Sequence, residues 1–253
     1  MNIALFQYEP GWENKELSKS KIDQHLENLT SDVDLLIFPE LTLTGFTMRS
    51  KRFAEKIDGE SIYFFASLAD KYGCHIIAGM IEEDQDMYYN TLVHLAPQKG
   101  LVCKYRKIHP FSFTGENRHY SSGRHPKTTD VKGIRIGLSI CYDLRFPELF
   151  RHYAKERVDL IVDIANWPVD RIEHWYTLLK ARAIENQCYV VGVNRVGSDK
   201  SLSYPGWSSA FNPFGEELLC LREKVAIAQA EIYGEEVIKI RDKYPFLNDI
   251  TLI

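Results

Sequence analysis

The chain has 253 residues, of which 45% are hydrophobic, which is enough to bury the core of a single domain spanning residues 1–253. Its net charge of -4 and pI near 6.1 provide no overall basic field, so we predict a small-molecule substrate and no nucleic-acid partner. No apolar segment approaches the roughly 20 residues of a membrane span, and the N-terminus lacks a signal-peptide pattern. We therefore predict a cytoplasmic protein with no membrane partner.

The cysteines are widely spaced, at Cys74, Cys103, Cys141, Cys188 and Cys220. Because no two lie closer than 29 residues, the chain has no C-x-x-C pair, zinc knuckle or dense disulfide framework. We interpret the four other than Cys141 as structural, because they occur in apolar or sheet-like surroundings.

The first half of the chain alternates between short apolar runs, which predict buried strands, and helical patterns. Predicted strands cover residues 2–6, 35–38, 76–81, 91–96 and 101–105, the last three as antiparallel neighbours. One predicted helix carries Ile22, Leu26, Leu29 and Val33, and a second covers residues 59–72. Gly73 follows the second helix at the usual position of a helix stop.

The second half resumes this alternation after a long loop, predicted over residues 111–132. Its predicted strands cover residues 134–140, 160–165, 189–193, 208–211, 217–221 and 225–232. Pro147 opens one predicted helix, Asp170 and Glu173 form a capping-box-like start of another, and a polar helix covers about residues 235–244. This alternation predicts an α/β fold with a mixed sheet layered with helices.

Three polar residues each follow an apolar strand: Glu40, Lys107 and Cys141. Taken singly, each has an ordinary structural interpretation, as a helix or loop cap, a solvated charge and a buried cysteine respectively. However, a thiol at the carboxyl edge of a sheet, just ahead of a helix start, is also where α/β enzymes expose a reactive group. Oriented backbone N–H groups at that position would favour its thiolate.

Together the three residue types supply what acyl transfer through a cysteine requires. Cysteine is a nucleophile, glutamate is a general base and acid, and lysine can stabilise a developing oxyanion. Since strand ends of one sheet can meet at a cleft, we predict that the three side chains converge there. The chain lacks G-x-S-x-G and H-E-x-x-H, which argues against a serine hydrolase and a zinc protease.

These residues lie in motifs that resemble the nitrilase, or carbon–nitrogen hydrolase, superfamily. The motifs, in the order typical of that superfamily, are F-P-E ending at Glu40, Y-R-K ending at Lys107, and C-Y-D-L-R-F-P-E beginning at Cys141. The resemblance covers nearly the whole chain. It implies a four-layer alpha-beta-beta-alpha sandwich with mixed sheets, often assembled as a homodimer through helices of two subunits.

The resemblance also implies a Glu-Lys-Cys triad that needs no metal and no organic cofactor. Glu40 would be the general base and acid, Lys107 the oxyanion partner and Cys141 the nucleophile. Glu116, in G-E-N-R-H-Y, falls where the family carries a second glutamate that helps position the triad. The backbone N–H of Tyr142 would complete the oxyanion site.

Further motifs resemble the omega-amidase branch, which hydrolyses the terminal amide of 2-oxo acids such as 2-oxoglutaramate. They are A-N-W-P at 165–168, H-W at 174–175, A-R-A-I-E-N-Q at 181–187 and N-R-V-G-S-D at 194–199. We predict that Asn166, Trp167 and Arg171 bind the substrate, with the Arg171 guanidinium meeting its carboxylate. For Arg171, a surface pair with a neighbouring acid is the alternative.

Two other functions remain open from the sequence. The same triad would serve a related amidase or carbamoylase acting on another small amide, because pocket side chains rather than the triad select the substrate. In a non-catalytic domain, Cys141 would be a redox sensor or a buried residue, but that interpretation leaves Glu40 and Lys107 unexplained.

Overall fold

The computed structural model describes residues 1–27, 29 and 32–252, and its elements alternate along the chain as the sequence predicts. The strands are β1 Asn2–Gln7, β2 Leu35–Ile37, β3 His75–Asp84, β4 Met87–Ala96, β5 Gly100–Arg106, β6 Thr128–Val131, β7 Ile134–Ile140, β8 Leu160–Ala165, β9 Tyr189–Asn194, β10 Val196–Ser198, β11 Ser203–Phe211, β12 Glu217–Arg222 and β13 Ala226–Glu231. The α-helices are α1 Lys15–Leu26, α2 Ser50–Phe53, α3 Glu60–Tyr72, α4 Pro147–Lys155, α5 Ile172–Asn186 and α6 Gly234–Lys243. Short 3₁₀ helices cover Ser112–Thr114, Glu116–Arg118, Cys141–Arg145, Val169–Arg171 and Phe246–Asp249.

Within the described residues, the strands form two mixed sheets. The first sheet has the order β13-β1-β2-β3-β4-β5, in which β1, β2 and β3 are parallel and the other pairs are antiparallel. The second sheet has the order β10-β11-β9-β8-β7-β6, with β12 also paired to β11, and its β7, β8 and β9 are parallel. Short apolar strands buried on both faces are typical of such parallel segments.

Alternate residues of the first sheet face two different partners. Leu5 and Ile37 belong to the core shared with the second sheet and with α4 and α5. Phe6 and Phe38 point the other way, into a separate core with the apolar face of α3, which includes Phe65. Each such side chain contributes about 1.5 to 3 kcal/mol through its burial. The result is the predicted four-layer sandwich of helices, sheet, sheet and helices.

Strand direction explains why the candidate residues meet. Since β4 is antiparallel to both β3 and β5, β5 runs parallel to β2, and the chain leaves both strands at the same edge of the first sheet. Glu40 and Lys107 follow these two strands. Cys141 and Asn166 follow β7 and β8, which are parallel neighbours in the second sheet. Ligand sites in α/β proteins form at such carboxyl ends.

Local predictions failed at three places. Residues 111–132 are not a plain loop, because they hold two 3₁₀ helices and the strand β6, whose four residues include three polar ones and so form no apolar run. Helix α1 ends at Leu26, so Leu29 and Val33 lie beyond it, and residues 28, 30 and 31 of the predicted stretch lie outside those described. No capping box starts α5. Its N-cap is Arg171, without a side-chain cap, because Asp170 belongs to the preceding 3₁₀ helix.

None of the helices in the described part of the chain combines the length and the apolar character needed to cross a bilayer.

Candidate active site

Glu40 leaves the first sheet through a tight backbone turn and is only 1% exposed. Leu41 adopts a left-handed conformation with φ of 45°, and the turn packs directly against β3 at Gly79. A Cβ at Gly79 would lie 2.3 Å from the backbone nitrogen of Leu41, so a residue without a side chain is required there. The glycine therefore lets the chain bring Glu40 across the end of the sheet.

Lys107 is buried, with 1% exposure, so the alternative of a solvated charge is wrong. Its Nζ lies 2.8 Å from Oε1 of Glu40, and 3.0 and 3.2 Å from the two carboxylate oxygens of Glu116. Burial by itself lowers the pKa of the Lys107 amine, but the charges of Glu116 and Glu40 outweigh it and raise that pKa well above its usual value. The lysine is a fixed cation between two carboxylates.

Glu116 is fully buried at the start of its 3₁₀ helix. Besides Lys107, it accepts hydrogen bonds from the backbone N–H of Phe111 and from Nδ2 of Asn90, the latter at 3.0 Å. Burial raises the pKa of Glu116, the charge of Lys107 opposes the rise, and Glu40 adds to it. With two carboxylates sharing one cation, the cluster has the capacity to hold a proton.

Asn90 joins the two carboxylates, and sequence reasoning missed it. Its Nδ2 donates to Oε1 of Glu40 at 2.6 Å and to Oε1 of Glu116 at 3.0 Å. Asn90 lies in the buried part of β4 and is 1% exposed, and the only signal in the sequence is an amide side chain next to the apolar run that predicts this strand. A buried amide in such a strand needs polar partners, which the two glutamates provide.

Cys141 follows β7 directly and begins a 3₁₀ helix in a left-handed conformation, with φ of 52°. A non-glycine residue in this region stores backbone strain, and such strain is concentrated at functional sites. The backbone N–H of Cys141 donates to Oδ1 of Asp163 at 2.8 Å, which holds the strained residue in place. Asp163 is a further residue that sequence reasoning missed.

The resting form of Cys141 differs from the prediction. Burial raises the pKa of its thiol well above the usual value, the charge of Glu40 raises it further, and that of Lys107 opposes the rise. The protonated thiol is therefore favoured over the thiolate. The N–H of Cys141 itself does not stabilise a thiolate, because it is bonded to Asp163.

Cys141 opens into a cavity, and five of the twelve residues that line it are aromatic. The cavity is lined by Phe46, Phe111, Thr114, Cys141, Tyr142, Arg145, Asn166, Trp167, Pro168, Arg171, Leu202 and Tyr204. The structure thus brings the predicted Tyr142, Asn166, Trp167 and Arg171 to one cavity with Cys141. A wider open groove along β5 and residues 117–125 contains none of these side chains.

A family model described as carbon–nitrogen hydrolase matches residues 2–242. The chain belongs to this family. The carbon–nitrogen hydrolase is 32% identical over 252 residues to a 2-oxoglutaramate amidase of Bacillus subtilis, a match that covers 98% of this chain and 96% of that protein. It is 35% identical to a 2-oxoglutaramate amidase of Paenarthrobacter nicotinovorans, with 98% and 89% covered. It is therefore a hydrolase that acts on carbon–nitrogen bonds.

The fold of the carbon–nitrogen hydrolase agrees with that of a solved relative. A CN-hydrolase superfamily protein from Xanthomonas campestris, solved with an arsenic adduct in its active site, superposes with a TM-score of 0.95 at 32% identity. The match covers 100% of this chain and 98% of that chain.

Two arginines give the cavity of this carbon–nitrogen hydrolase a positive wall. The Arg171 guanidinium lies 5.6 Å from the ring centroid of Phe111, and that of Arg145 lies 4.8 Å from the ring of Trp167. Within the described residues, neither forms an ion pair with a carboxylate, so the alternative of an Arg171 surface pair fails. Burial, and then the charge of Arg171, lower the pKa of Arg145. Arg145 lies in the C-Y-D-L-R-F-P-E motif, which by itself does not indicate this role.

Asn166 lies between the cavity and Glu40. Its backbone N–H donates to Oε2 of Glu40 at 2.8 Å, and its Nδ2 donates to the carbonyl oxygen of Glu40 at 2.7 Å and to Oε2 at 3.3 Å. These acceptors determine which side-chain atom is the nitrogen. The buried Oδ1 of Asn166 has no hydrogen-bond partner among the described residues.

The same part of the chain, residues 1–27, 29 and 32–252, contains no group of three or more His, Cys, Asp and Glu side chains arranged to hold a metal ion.

Proposed function

We propose that this protein is an omega-amidase, which hydrolyses the terminal amide of 2-oxo acid monoamides such as 2-oxoglutaramate to the dicarboxylic acid and ammonia. One observation carries the proposal: the charges of two carboxylates and one buried cation act on the Cys141 thiol, and the cavity beside that thiol is also lined by two arginines that form no ion pair within the described residues. The first group suits amide hydrolysis, and the arginines suit a substrate carboxylate. The two relatives named as 2-oxoglutaramate amidases support the same substrate class.

In the first step, Cys141 attacks the amide carbonyl carbon as Glu40 takes the thiol proton. Since the thiol is protonated at rest, this transfer must accompany the attack. Oε1 of Glu40 accepts short bonds from Lys107 and Asn90, at 2.8 and 2.6 Å, whereas Oε2 accepts one short bond and one longer bond, at 2.8 and 3.3 Å, both from Asn166. We therefore assign the proton transfer to Oε2.

Attack converts the carbonyl oxygen into an oxyanion, which needs donors in fixed positions. Lys107 supplies a positive charge, because the two glutamates keep its amine protonated. The Cys141 N–H is occupied by Asp163, so the next donor along the chain is the Tyr142 N–H, in the first turn of the 3₁₀ helix. We assign the oxyanion to these two donors.

Collapse of the intermediate breaks the carbon–nitrogen bond, and Glu40 returns its proton to the leaving amine as ammonia forms. The acyl group stays on Cys141 as a thioester. Water then attacks the thioester carbonyl carbon while Glu40 takes a water proton, and the acid product leaves as the sulfur regains a proton. Glu116 takes no part in these transfers. Its contacts to Lys107 and Asn90 give it a positioning role.

The substrate's two ends meet different parts of the cavity. Arg171 and Arg145 would bind the distant carboxylate by charge-assisted hydrogen bonds. Asn166, whose buried Oδ1 has no partner among the described residues, would lie beside the scissile amide and the carboxylate that later protonates its nitrogen. Trp167, whose Nε1 donates to the carbonyl oxygen of Arg171 at 2.7 Å, would hold the chain between them.

Ammonia release tests the proposal directly. The purified protein should turn over 2-oxoglutaramate faster than carbamoyl amines, nitriles or amides without a carboxylate, and the Cys141→Ala variant should release none. Turnover confined to carbamoyl amines or to uncharged amides would leave the chemistry in place but overturn the substrate. No turnover of any member of the panel, with no acyl adduct on Cys141, would instead favour a redox-sensing cysteine. The raised pKa of the Cys141 thiol argues against that alternative, because redox sensors use thiols of low pKa.

The assembly and location predicted from the sequence stay proposals. We propose one domain that forms a homodimer through exposed apolar side chains at the end of α5 and just beyond α6, namely Ile184, Phe214 and Phe246. Analytical ultracentrifugation of a Phe246→Ser variant should give a smaller species than the wild type. A cytoplasmic location agrees with the five free cysteines, because reducing compartments keep thiols unpaired.

A further inference from the structure

Ser139, on β7 two residues before Cys141, has more hydrogen-bond acceptors around it than it can serve. Its Oγ lies 2.7 Å from Oδ2 of Asp163 and 3.1 Å from the carbonyl oxygen of Val162. A hydroxyl group has one hydrogen, and a carbonyl oxygen has none to donate. If both contacts are hydrogen bonds, the second hydrogen must come from Asp163.

The surroundings of Asp163 favour a neutral side chain. It is fully buried, and within the described residues it forms no ion pair. Among the charged groups that act on it, Asp143 and Glu40 are both negative. An isolated carboxylate in such a place carries a large desolvation cost, which protonation removes. Burial accordingly raises the pKa of Asp163 well above its usual value, against the hydrogen bonds from Ser139 and Cys141.

A second buried aspartate nearby has the opposite surroundings. Asp143 is also fully buried, but donors reach both of its oxygens. Oδ1 accepts the N–H of His109 at 3.0 Å and lies 2.7 Å from its Nδ1, while Oδ2 accepts the hydroxyl of Tyr105 at 2.7 Å and the N–H of Ile140 at 3.1 Å. Within the described residues the Tyr105 hydroxyl has no acceptor other than Asp143, whereas the Ser139 hydroxyl also faces the Val162 carbonyl oxygen.

We propose that Asp163 is a protonated positioning residue of the reaction. The carboxyl O–H of Asp163 donates to Ser139, and the Ser139 hydroxyl donates to the Val162 carbonyl oxygen. Oδ1 of Asp163 accepts the N–H of Cys141. The nucleophile is then held in its strained conformation without a third negative charge beside the sulfur. An ionised carboxylate there would disfavour both the thiolate and the oxyanion. The inference rests on the proposed function only through the role of Cys141 as nucleophile.

Asparagine reproduces the neutral form of Asp163, because its NH₂ group can donate to Ser139 while its oxygen accepts from Cys141. We expect Asp163→Ala to lower kcat for 2-oxoglutaramate on the order of 10- to 100-fold, as the strained Cys141 shifts. Asp163→Asn should recover most of that loss. Asp143→Asn is the matched control. It should not be tolerated, because its NH₂ group would face donors at either oxygen position, and thermal unfolding should show a lower midpoint.

Two measurements are independent of the substrate. The pH dependence of Cys141 alkylation by iodoacetamide should be the same in wild type and Asp163→Asn, since both place a neutral group beside the thiol. Infrared difference spectra between these proteins should show the loss of a protonated carboxyl band. A folded Asp163→Asn variant as inactive as Asp163→Ala, an alkylation profile moved to lower pH, or loss of carboxylate bands would each overturn the proposal. Failure of the omega-amidase assignment alone would leave both measurements unchanged.

Discussion

Two glutamate clusters lie back to back on the same strands, and their charges are arranged in opposite ways. Asn90 and Thr91 are neighbours on β4, and Arg106 and Lys107 are neighbours at the end of β5. Since successive side chains point to opposite faces of a sheet, each pair contributes one side chain to each cluster. Thr91 and Arg106 bind Glu82, with Arg106 at 2.9 and 2.6 Å, and Lys104 adds a second cation.

The Glu82 cluster places two cations on one buried carboxylate. Although burial would raise the pKa of Glu82, the hydrogen bonds from Arg106 and Lys104 outweigh it, and the pKa is lowered. The cluster of Glu40, Glu116 and Lys107 places two buried carboxylates on one cation, and the pKa of Glu116 is raised. The difference teaches that burial of a glutamate does not decide its role. The number of cations that reach a buried glutamate decides whether its pKa is lowered, as in the Glu82 ion pairs, or raised, as at Glu116.

The largest expected effect comes from removing the Cys141 thiol, which the cluster of Glu40, Glu116 and Lys107 faces and the Glu82 cluster does not. Cys141→Ala should abolish turnover of 2-oxoglutaramate without unfolding the protein, and Cys141→Ser should be nearly inactive because a carboxylate is a poor match for an alcohol of much higher pKa. Mass spectrometry after mixing with substrate should detect an acyl adduct in the wild type and in Cys220→Ala, but not in Cys141→Ala. Cys220→Ala is the control. Near wild-type turnover by Cys141→Ala would exclude the triad.

Neutralising single members of the two clusters should separate their roles. We expect Lys107→Met and Glu40→Gln each to lower kcat about 100-fold or more, because loss of one oxyanion donor costs about 2.7 to 4 kcal/mol and the base has no substitute. Steady-state kinetics would measure this. The matched control for Glu40→Gln is Glu82→Gln, the same change in the neighbouring cluster, and similar losses of kcat in both variants would contradict the division of roles.

The arginine wall should affect one substrate class more than another. Arg171→Ala should lower kcat/KM for 2-oxoglutaramate by an amount equivalent to roughly 2 to 3 kcal/mol, the range of a charge-assisted hydrogen bond. The same variant should hardly change kcat/KM for an uncharged amide of similar size. Arg145→Ala should behave in the same way. Arg118→Ala, in the separate groove, is the control. Equal losses on charged and uncharged amides would mean that the arginines support the structure of the cavity instead.

The smallest expected effect is on stability alone. Glu82→Gln should lower the free energy of unfolding by about 1.5 to 3 kcal/mol near neutral pH, as hydrogen bonds to a charged group are lost. Because the folded pKa of Glu82 is lowered, its contribution is present above the unfolded pKa of about 4.3 and is lost as the pH falls through the folded value. Urea unfolding of both proteins from pH 7 to pH 3 should show the difference shrink. A difference independent of pH would contradict the ion-pair account.

Much of the fold followed from local pattern. Short apolar runs predicted the strands before Glu40, Lys107 and Cys141, and Pro147 and Gly73 marked a helix start and a helix end that the structure has. The strand β6 was missed because half of its residues are exposed or partly exposed, and a strand at the edge of a sheet needs no continuous apolar run. The helix start at Asp170 was wrong because the chain first makes a 3₁₀ turn.

For the site, the sequence alone determined the residue types, their order and their place at strand ends, because these are local properties of the chain. Tertiary structure decided the rest. No sequence motif indicates the roles of Asn90, Arg145 and Asp163. These residues acquire their roles only because the fold brings separate strands together at one edge. The protonation of Cys141 and Lys107 also depends on charges distant in sequence and on burial, since desolvation and Coulomb energy are set by three-dimensional distance and not by position along the chain.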